Sequence, residues 1–403
     1  CRGLRTSGQT AEGTTSFSTT PNPAIKSQIL GSSGATEDLA VGKEHLCFTT
    51  TSNGVFCAGS NDYGELGDGF HTVGNPAGLS KATEVLSLAG LASKVTVGTH
   101  HSCVLTTGNG VSCWGENSLG QLGDGSNIAT VVPISVQGLS FGVSALATGT
   151  HHNCVLTSTG GVKCWGRNTS GQLGDGTGIS NNVPVDVVGL TSGVSSISVA
   201  GSTSCAVLTG GEARCWGRNT NGQIGDGTLV NKTSPVTVSG LGAGVASMAV
   251  GEFHNCSLST LGAVKCWGSD YLCETGSNVN TCNTNVTSPQ AVYGLTSGVE
   301  RISSGNSFSC ALMSNKAMRC WGSNASGQLG YGSTSYKYSS FTEVTAANAP
   351  YLTAQKLFLG SGTTCLVTAG KTAYCWGANN IGQRADGSAD TPLNTMSPIG
   401  LLY

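Results

Sequence analysis

The sequence predicts an all-β chain built as an array of seven similar units, and three observations carry the prediction. Seven pairs of cysteines, ten residues apart within each pair, recur along the chain: Cys47 with Cys57, Cys103 with Cys113, Cys154 with Cys164, Cys205 with Cys215, Cys256 with Cys266, Cys310 with Cys320 and Cys365 with Cys375. The second members follow one another at 56, 51, 51, 51, 54 and 55 residues. Self-similarity on a period near 50 marks a propeller or a solenoid. Glycine is the third signal, 61 of 403 residues, with abundant Ser, Thr and Asn. That composition suits short strands joined by tight turns, because Gly supplies positive φ and Asn and Ser close turns with their own side chains.

Residues 95–136 show one unit, element by element. Val95-Thr96-Val97 reads as a short strand ending at Gly98. His101 to Leu105 is a second strand, Thr107 to Gly110 a turn, and Val111 to Trp114 a third strand closed by Gly115. Asn117 to Gly125 is a Gly-rich loop. Pro133 to Val136 is a fourth strand, whose leading Pro suits a strand start or an edge.

The hairpin accounts for the cysteines. With the turn centred on Gly108, Cys103 stands opposite Cys113 and Leu105 opposite Val111, all on one face. Directly opposed Cβ atoms in an antiparallel pair lie about 4.5–5.5 Å apart, near the reach of a disulfide. On the chain-entropy model each bridge stabilises by roughly 2–3 kcal/mol. Metal binding is the alternative, but a hairpin offers two sulfurs and one or two His where a closed zinc site wants four ligands. Disulfides are therefore expected, and no metal or cofactor.

Cys113-Trp114-Gly115-Glu116-Asn117 followed by Gly120-Gln121-Leu122-Gly123-Asp124-Gly125 resembles the regulator of chromosome condensation repeat, a family of seven-bladed β-propellers. The motif recurs around Cys164-Trp165-Gly166, Cys215-Trp216-Gly217, Cys320-Trp321-Gly322 and Cys375-Trp376-Gly377. All six Trp occupy this position, and the first repeat has Cys57-Ala58-Gly59. The resemblance implies an all-β seven-bladed propeller over residues 39–403, with 1–38 as an N-terminal arm. Two repeats depart from the pattern. The fifth loses Gly-Gln-Leu-Gly and carries Cys273 and Cys282, expected to bridge and staple a longer loop. The seventh has the degenerate Gly382-Gln383-Arg384-Ala385-Asp386-Gly387. The nucleotide-exchange activity of nuclear family members does not carry over to a disulfide-laced, weakly charged chain.

Charged residues make up 10% of the chain and the net charge is −2. No electrostatic footprint for nucleic acid or anionic lipid is present, and no apolar run reaches the ~18 residues of a membrane span. Seventeen cysteines point to an oxidising compartment. Sequons at Asn168, Asn231, Asn255, Asn285 and Asn324 permit N-glycosylation but arise easily in so Asn/Ser/Thr-rich a chain.

Three residue sets invite a chemical reading. His45, His101, His152 and His254 precede the first cysteine of their pairs by two positions, where the other repeats carry Thr203, Phe308 and Thr363. His100 and His151 adjoin two of them. A metal or catalytic cluster near the axis is one reading. The preferred one is a His at each strand start that hydrogen-bonds a neighbouring turn, kept apart from the others by the seven-fold arrangement. The loop aspartates (Asp68, Asp124, Asp175, Asp226 and Asp386) stand one per loop, too few for the six to eight oxygens of calcium, so a turn-stabilising role is expected. The Trp read as inter-blade core rather than a sugar-stacking platform. No Ser/His/Asp set, carboxylate pair or phosphate loop stands out.

Both ends matter. Cys1 is the odd cysteine, a candidate for lipidation or an intermolecular disulfide; it and the missing initiator Met read as a processed form. Residues 2–20 are Ser/Thr/Gly-rich and read as a tether. Pro23-Ala24-Ile25 through Ile29-Leu30 to Gly42, and Ser397-Pro398-Ile399 at the other end, resemble the passage from fourth strand to first strand inside the repeats. Six such passages lie between the hairpins and the ends add two, which gives eight candidates for seven slots.

The expected function is a non-catalytic extracellular or cell-surface structural or interaction protein, a self-assembling subunit of a filament or sheath through its N-terminal arm. The expected partners are further copies of itself. The alternative is a monomeric or lipid-anchored propeller that binds a glycan or protein ligand. Nucleic acid is not expected, and membrane contact only through lipidated Cys1. An enzyme or exchange factor is the weakest reading.

Overall fold

Among the described residues twenty-eight strands, β1 to β28, group into seven antiparallel sheets, each made of four strands consecutive in the chain. They belong to a computed structural model that describes residues 35–71, 79–88, 91–277, 282, 284–330, 334, 337–344, 354–381, 384 and 393–398. Every regular element among the described residues is a strand. The architecture is a seven-bladed β-propeller.

Blade 2 is representative: β5 (Ala92–Val97), β6 (His101–Thr106), β7 (Val111–Gly115) and β8 (Thr130–Ser135). Cys103 pairs with Cys113 and Leu105 with Val111. Asn109, at φ 61°, closes the turn. The six residues of β6 are all buried, because a central blade strand is covered on both faces by its neighbours. Its odd face, Cys103 and Leu105, packs toward blade 3 with Leu146, Val155 and Trp165. Its even face, with Val104, packs toward blade 1 with Cys57 and Leu66. The core is thus distributed over seven inter-blade seams, one apolar cluster per seam. Pro133 lies inside β8 rather than at its start, and β8 is the outer edge strand, where a missing N–H is tolerated.

All seven hairpin pairs are bridged as the spacing implies. Cys47 is bonded to Cys57, Cys103 to Cys113, Cys154 to Cys164, Cys205 to Cys215, Cys256 to Cys266, Cys310 to Cys320 and Cys365 to Cys375, with Cα atoms 4.1–4.2 Å apart. Cys273 is bonded to Cys282. The hairpin sulfurs are fully buried in the seams.

Ring closure uses no shared strand. The innermost strand of blade 1, β1 (Thr36–Val41), starts three residues before the 38/39 boundary read from sequence, because Thr36 already pairs with Thr50. The C-terminal β28 (Leu393–Pro398) supplies the fourth strand of blade 7. β1 packs beside β25 (Ala354–Leu359) and β26 (Thr363–Thr368). Thr36 N donates to Lys371 O at 2.9 Å, and Ser361 N to Gly42 O at 3.4 Å. Lys371 Nζ meets Glu37 Oε2 at 2.6 Å. Cys1, residues 2–20 and the passage 23–30 lie outside the described residues.

Candidate functional site

The repeat motif is an inter-blade clasp. Asn117 holds the loop from inside: its Oδ1 accepts Leu122 N at 2.9 Å, and its Nδ2 donates to Asp124 Oδ1 and to the carbonyls of Ser126 and Ile128. Gln121 Oε1 accepts Leu119 N. The Gln121 carbonyl is thereby aimed at the next blade, where it accepts Trp165 Nε1 at 3.0 Å and Asn153 Nδ2 at 2.7 Å. Leu122 fills the seam. A Cβ on Gly123, at φ 69°, would stand 2.7 Å from Trp165 Nε1, so the motif requires glycine there. Each of the six Trp donates in this way to the preceding blade, at 2.7–3.0 Å. They are buried seam residues and offer no stacking surface.

Asp68, Asp124, Asp175 and Asp226 each accept from the clasp Asn and from a backbone N–H two residues on. They stabilise the turn. Asp386 lies outside the described residues. Among the described residues no group of three or more His, Cys, Asp or Glu is placed to hold a metal. Asn168, Asn255 and Asn324 are fully buried, so three of the five sequons are closed to a glycan in the folded chain.

The fifth repeat keeps the clasp although its letters change, which corrects the reading that it loses the loop. Asp270 Oδ1 accepts Thr275 N, Glu274 Oε2 accepts Leu272 N, and the Glu274 carbonyl accepts Trp321 Nε1. Cys273 takes the left-handed position, φ 60°, that Gly fills elsewhere. The departure that changes the packing is at the closing seam. Ala58 stands where other blades carry Trp, and Arg384, fully buried, stands where they carry Leu, Ile224 or Thr275.

The four strand-start His also act between blades, each with a side-chain partner on the next blade's second strand, and the neighbouring turn contributes at His45 and His254 through the backbone of Thr99 and Asn306. His45 Nε2 meets Ser102 Oγ at 2.9 Å, His101 Asn153 Oδ1 at 3.1 Å, His152 Ser204 Oγ at 2.9 Å and His254 Ser309 Oγ at 2.6 Å. Burial pushes these imidazoles down to about 4, 3, 3 and 4 respectively. Burial dominates the shift of His101, and His151, His45 and His100 act on it in the same direction.

The loops between first and second strands converge on an axial funnel of about 510 Å³ to which all seven blades contribute. Its mouth carries Lys43, His100, His151, Glu252, Asn306 and Ser361. Gly98 sits at its throat, where a Cβ would stand 2.2 Å from the His101 ring and 2.8 Å from Gly149 O. His100 Nδ1 lies 3.8 Å from Glu65 Oε1. Burial opposes charge on His100, but Glu65 outweighs it and holds the imidazole above its ordinary value. Burial likewise opposes charge on Glu65, and His100, His45 and the Ser60 hydroxyl bring that carboxyl down to about 2. On the opposite side, burial raises Glu252 against Lys43 and Arg218. Strand alternation puts the loops between third and fourth strands at this same end. There Phe70, Ile128, Ile179 and Val230 stand 65–75% exposed on clasped loops. The mouth offers charge and hydrogen bonds ringed by rigid apolar tips, which is recognition chemistry.

The family model for the regulator of chromosome condensation (RCC1) repeat matches residues 37–65, 92–121, 143–172, 194–223 and 299–328, and a second model of that repeat matches 110–156, 159–207 and 211–258. The chain is 30% identical over 296 residues to the RCC1 domain-containing protein RUG3, mitochondrial, of Arabidopsis thaliana, covering 70% of this chain and 64% of that protein. It is 29% identical over 275 residues to the human E3 ubiquitin-protein ligase HERC2, covering 67% of this chain but 6% of that protein. Among solved structures, yeast RCC1 (Prp20) bound to Kap60 superposes with a TM-score of 0.73 at 19% identity, covering 99% of this chain and 91% of that one. That likeness shows the fold.

Proposed function

The chain belongs to the regulator of chromosome condensation (RCC1) repeat family, whose propeller is a protein-interaction fold, and on that premise we propose that it is a non-catalytic interaction protein of the extracellular space that assembles with further copies of itself through its N-terminal segment. One observation carries the self-association reading: all seven blades already hold four strands of their own, so the strand-like passage at 23–30 is surplus to the ring. The bridges in every blade fit an oxidising compartment. A head-to-tail contact that does not close makes open filaments. Electron microscopy of the protein with and without residues 1–34 tests this. The truncation stops at 34 because removing 1–38 would take Thr36–Asp38 out of β1. Polymers that vanish on truncation support assembly; single propellers in both samples overturn it.

A second reading is favoured by the axial mouth. There the monomer would hold a protein or glycan ligand, with Lys43, His100, His151 and Glu252 as polar contacts and Ile128, Ile179 and Val230 as apolar anchors. Ligand capture by monomer, lost in a K43E/H151A double variant with an unchanged melting temperature, would support it; unchanged capture would overturn it.

A further inference from the structure

The seven outer strands are not equally guarded. In blade 2 Val136 N donates to Val111 O, and Cys113 pairs with Ile134. Alternation therefore turns the backbone of residues 134 and 136 into the blade and that of 133 and 135 outward. Pro133 occupies the first outward position and removes its donor. Pro184 in β12 (Asn181–Asp186), Pro235 in β16 (Lys232–Thr237) and Pro289 in β20 (Val286–Ala291) occupy the equivalent place. In β28 Pro398, opposite Tyr374, occupies the other outward position. Proline at an outward N–H is a device against strand addition.

Two edges lack it. Blade 1 has Ala82 and Glu84 at the outward positions of β4 (Leu79–Glu84), and blade 6 has Phe341 and Glu343 in β24 (Lys337–Val344). The two differ in length and charge. β24 is eight residues long against six for β4, and residues 338–342 carry no charge, whereas Lys81 stands mid-strand in β4. A central Lys guards an edge as proline does.

We propose that β24 is the docking edge for a second copy of this chain, whose segment 23–30 adds to blade 6 as a fifth strand. The proposal rests on the self-association reading above and names its acceptor. The donor is chosen on two grounds. The passage Pro23-Ala24-Ile25-Lys26-Ser27-Gln28-Ile29-Leu30 resembles a fourth strand, and no fourth-strand slot in its own ring is vacant. Residues 31–35 join that passage to β1, a link of up to ~17 Å when extended at ~3.3 Å per residue, so the acceptor copy must pack close to the end of the ring at which β1 begins. Strand addition takes its affinity from main-chain hydrogen bonds, so the acceptor should depend on the backbone N–H at 341 and not on the side chain there.

The test uses the full chain in sedimentation velocity and negative-stain microscopy. F341P removes the outward donor, F341A keeps it, and E343P removes the neighbouring one should F341P fold poorly. I25P/Q28P places one proline at an odd and one at an even position of the donor, so one falls on a pairing N–H in either register. Wild type and F341A should polymerise. F341P and I25P/Q28P should each sediment as single propellers and melt like F341A. Mixed one to one, they should form a dimer and nothing larger, since one supplies the only working strand and the other the only working edge. Polymers of F341P and E343P indistinguishable from wild type overturn the edge assignment and leave the assembly reading standing. So does a mixture that stays monomeric while wild type polymerises. Wild type that never polymerises overturns both.

Discussion

Replacing His152 by Thr, the residue that position 203 carries in the next blade, should make the chain less sensitive to acid. His152 is fully buried with Nε2 on Ser204, and burial brings its pKa down to about 3. The unfolded value is ~6.5. Above pH 6.5 the ring is neutral in both states and contributes no pH dependence. Between pH 6.5 and about 3 the unfolded chain binds a proton that the folded chain refuses, so stability falls as pH falls, by ~1.4 kcal/mol per unit. His45, His101 and His254 behave alike, with folded values of about 4, 3 and 4. The four together remove ~5 kcal/mol per pH unit, or ~7–8 kcal/mol between pH 7 and pH 5. Domain stabilities of ~5–15 kcal/mol place acid unfolding near pH 5 to 4. His100 acts in the opposite sense. Its folded value is raised, so its contribution is present below the unfolded pKa and is lost as pH climbs through the folded one. The raised carboxyls of Asp38, Glu252, Asp270 and Glu274 also oppose the loss on acidification. The comparison with H152T cancels these terms. Guanidinium midpoints at pH 7, 6 and 5, with disulfides intact, should show H152T less stable than wild type at pH 7 but losing ~2 kcal/mol less between pH 7 and pH 5. Parallel slopes for the two proteins would refute the buried neutral imidazole.

Three further outcomes follow from the clasp and the bridges. W165F keeps most of the buried area and loses the bond to Gln121 O, at a cost of ~1 kcal/mol, whereas W165A opens a seam cavity and costs ~3–5 kcal/mol, both read from denaturant midpoints. N117A leaves Leu122 N without its acceptor and should cost ~1–3 kcal/mol, with new protease cleavage confined to residues 118–129 on mass spectrometry. A C154A/C164A double variant should lose ~2–3 kcal/mol in chemical denaturation. The seven wild-type hairpin bridges, fully buried, should resist reductant and alkylation until the propeller unfolds; labelling of their cysteines in the native protein at exposed-thiol rates would contradict this.

The hairpins were legible because the register of a two-stranded ladder is a parity rule. The ten-residue spacing of Cys103 and Cys113 allows their pairing about Gly108, and the structure pairs them so. The same spacing pairs Cys256 with Cys266 in blade 5, although the loop that follows has changed its letters. The Trp were legible as core because a large ring recurring beside a buried cysteine has few other places to go. The clasp was not legible, since its bonds join residues 32 to 49 apart in sequence, as in Asn153 to Gln121 and Trp114 to Glu65. Nothing local in a Gln says that its carbonyl will serve the next blade. The misreading of the fifth repeat has the same origin. The letters differ there while the backbone conformation is kept, with Cys273 at positive φ in place of Gly. The side-chain partner of each His was missed because a seam is a contact between units, and a period reveals the unit alone. A signal was nevertheless present: the residue after each of these His is Leu46, Ser102, Asn153 or Asn255, and a hydroxyl or amide repeatedly placed in a buried strand implies a partner across the seam.

What distinguishes this propeller from a symmetric ring is where the repeat is broken. Six seams use a Trp indole and a carbonyl to fix one blade on the next, and there the sequence has little freedom. The seventh seam has Ala58 in place of the Trp and a buried Arg384 in place of the clasp's Leu, and is joined on its rim by Lys371, Glu37 and Lys356. Burying a guanidinium is expensive unless it is hydrogen-bonded, and Arg384 Nη1 donates to Gly377 O. A seam held more by polar contacts than by a Trp is the one place where the chain's first and last blades must find each other after the rest has formed. Directional polar contacts such as those of Lys371 and Lys356 with Glu37 specify a pairing better than apolar area does. The same argument applies to the unguarded edge of blade 6. Four blades repeat a proline at one outward position and a fifth carries it at the other. Blades 1 and 6 lack it; blade 1 keeps Lys81 in a six-residue edge, whereas blade 6 gains two residues of edge with no central charge, which is the geometry that strand addition needs.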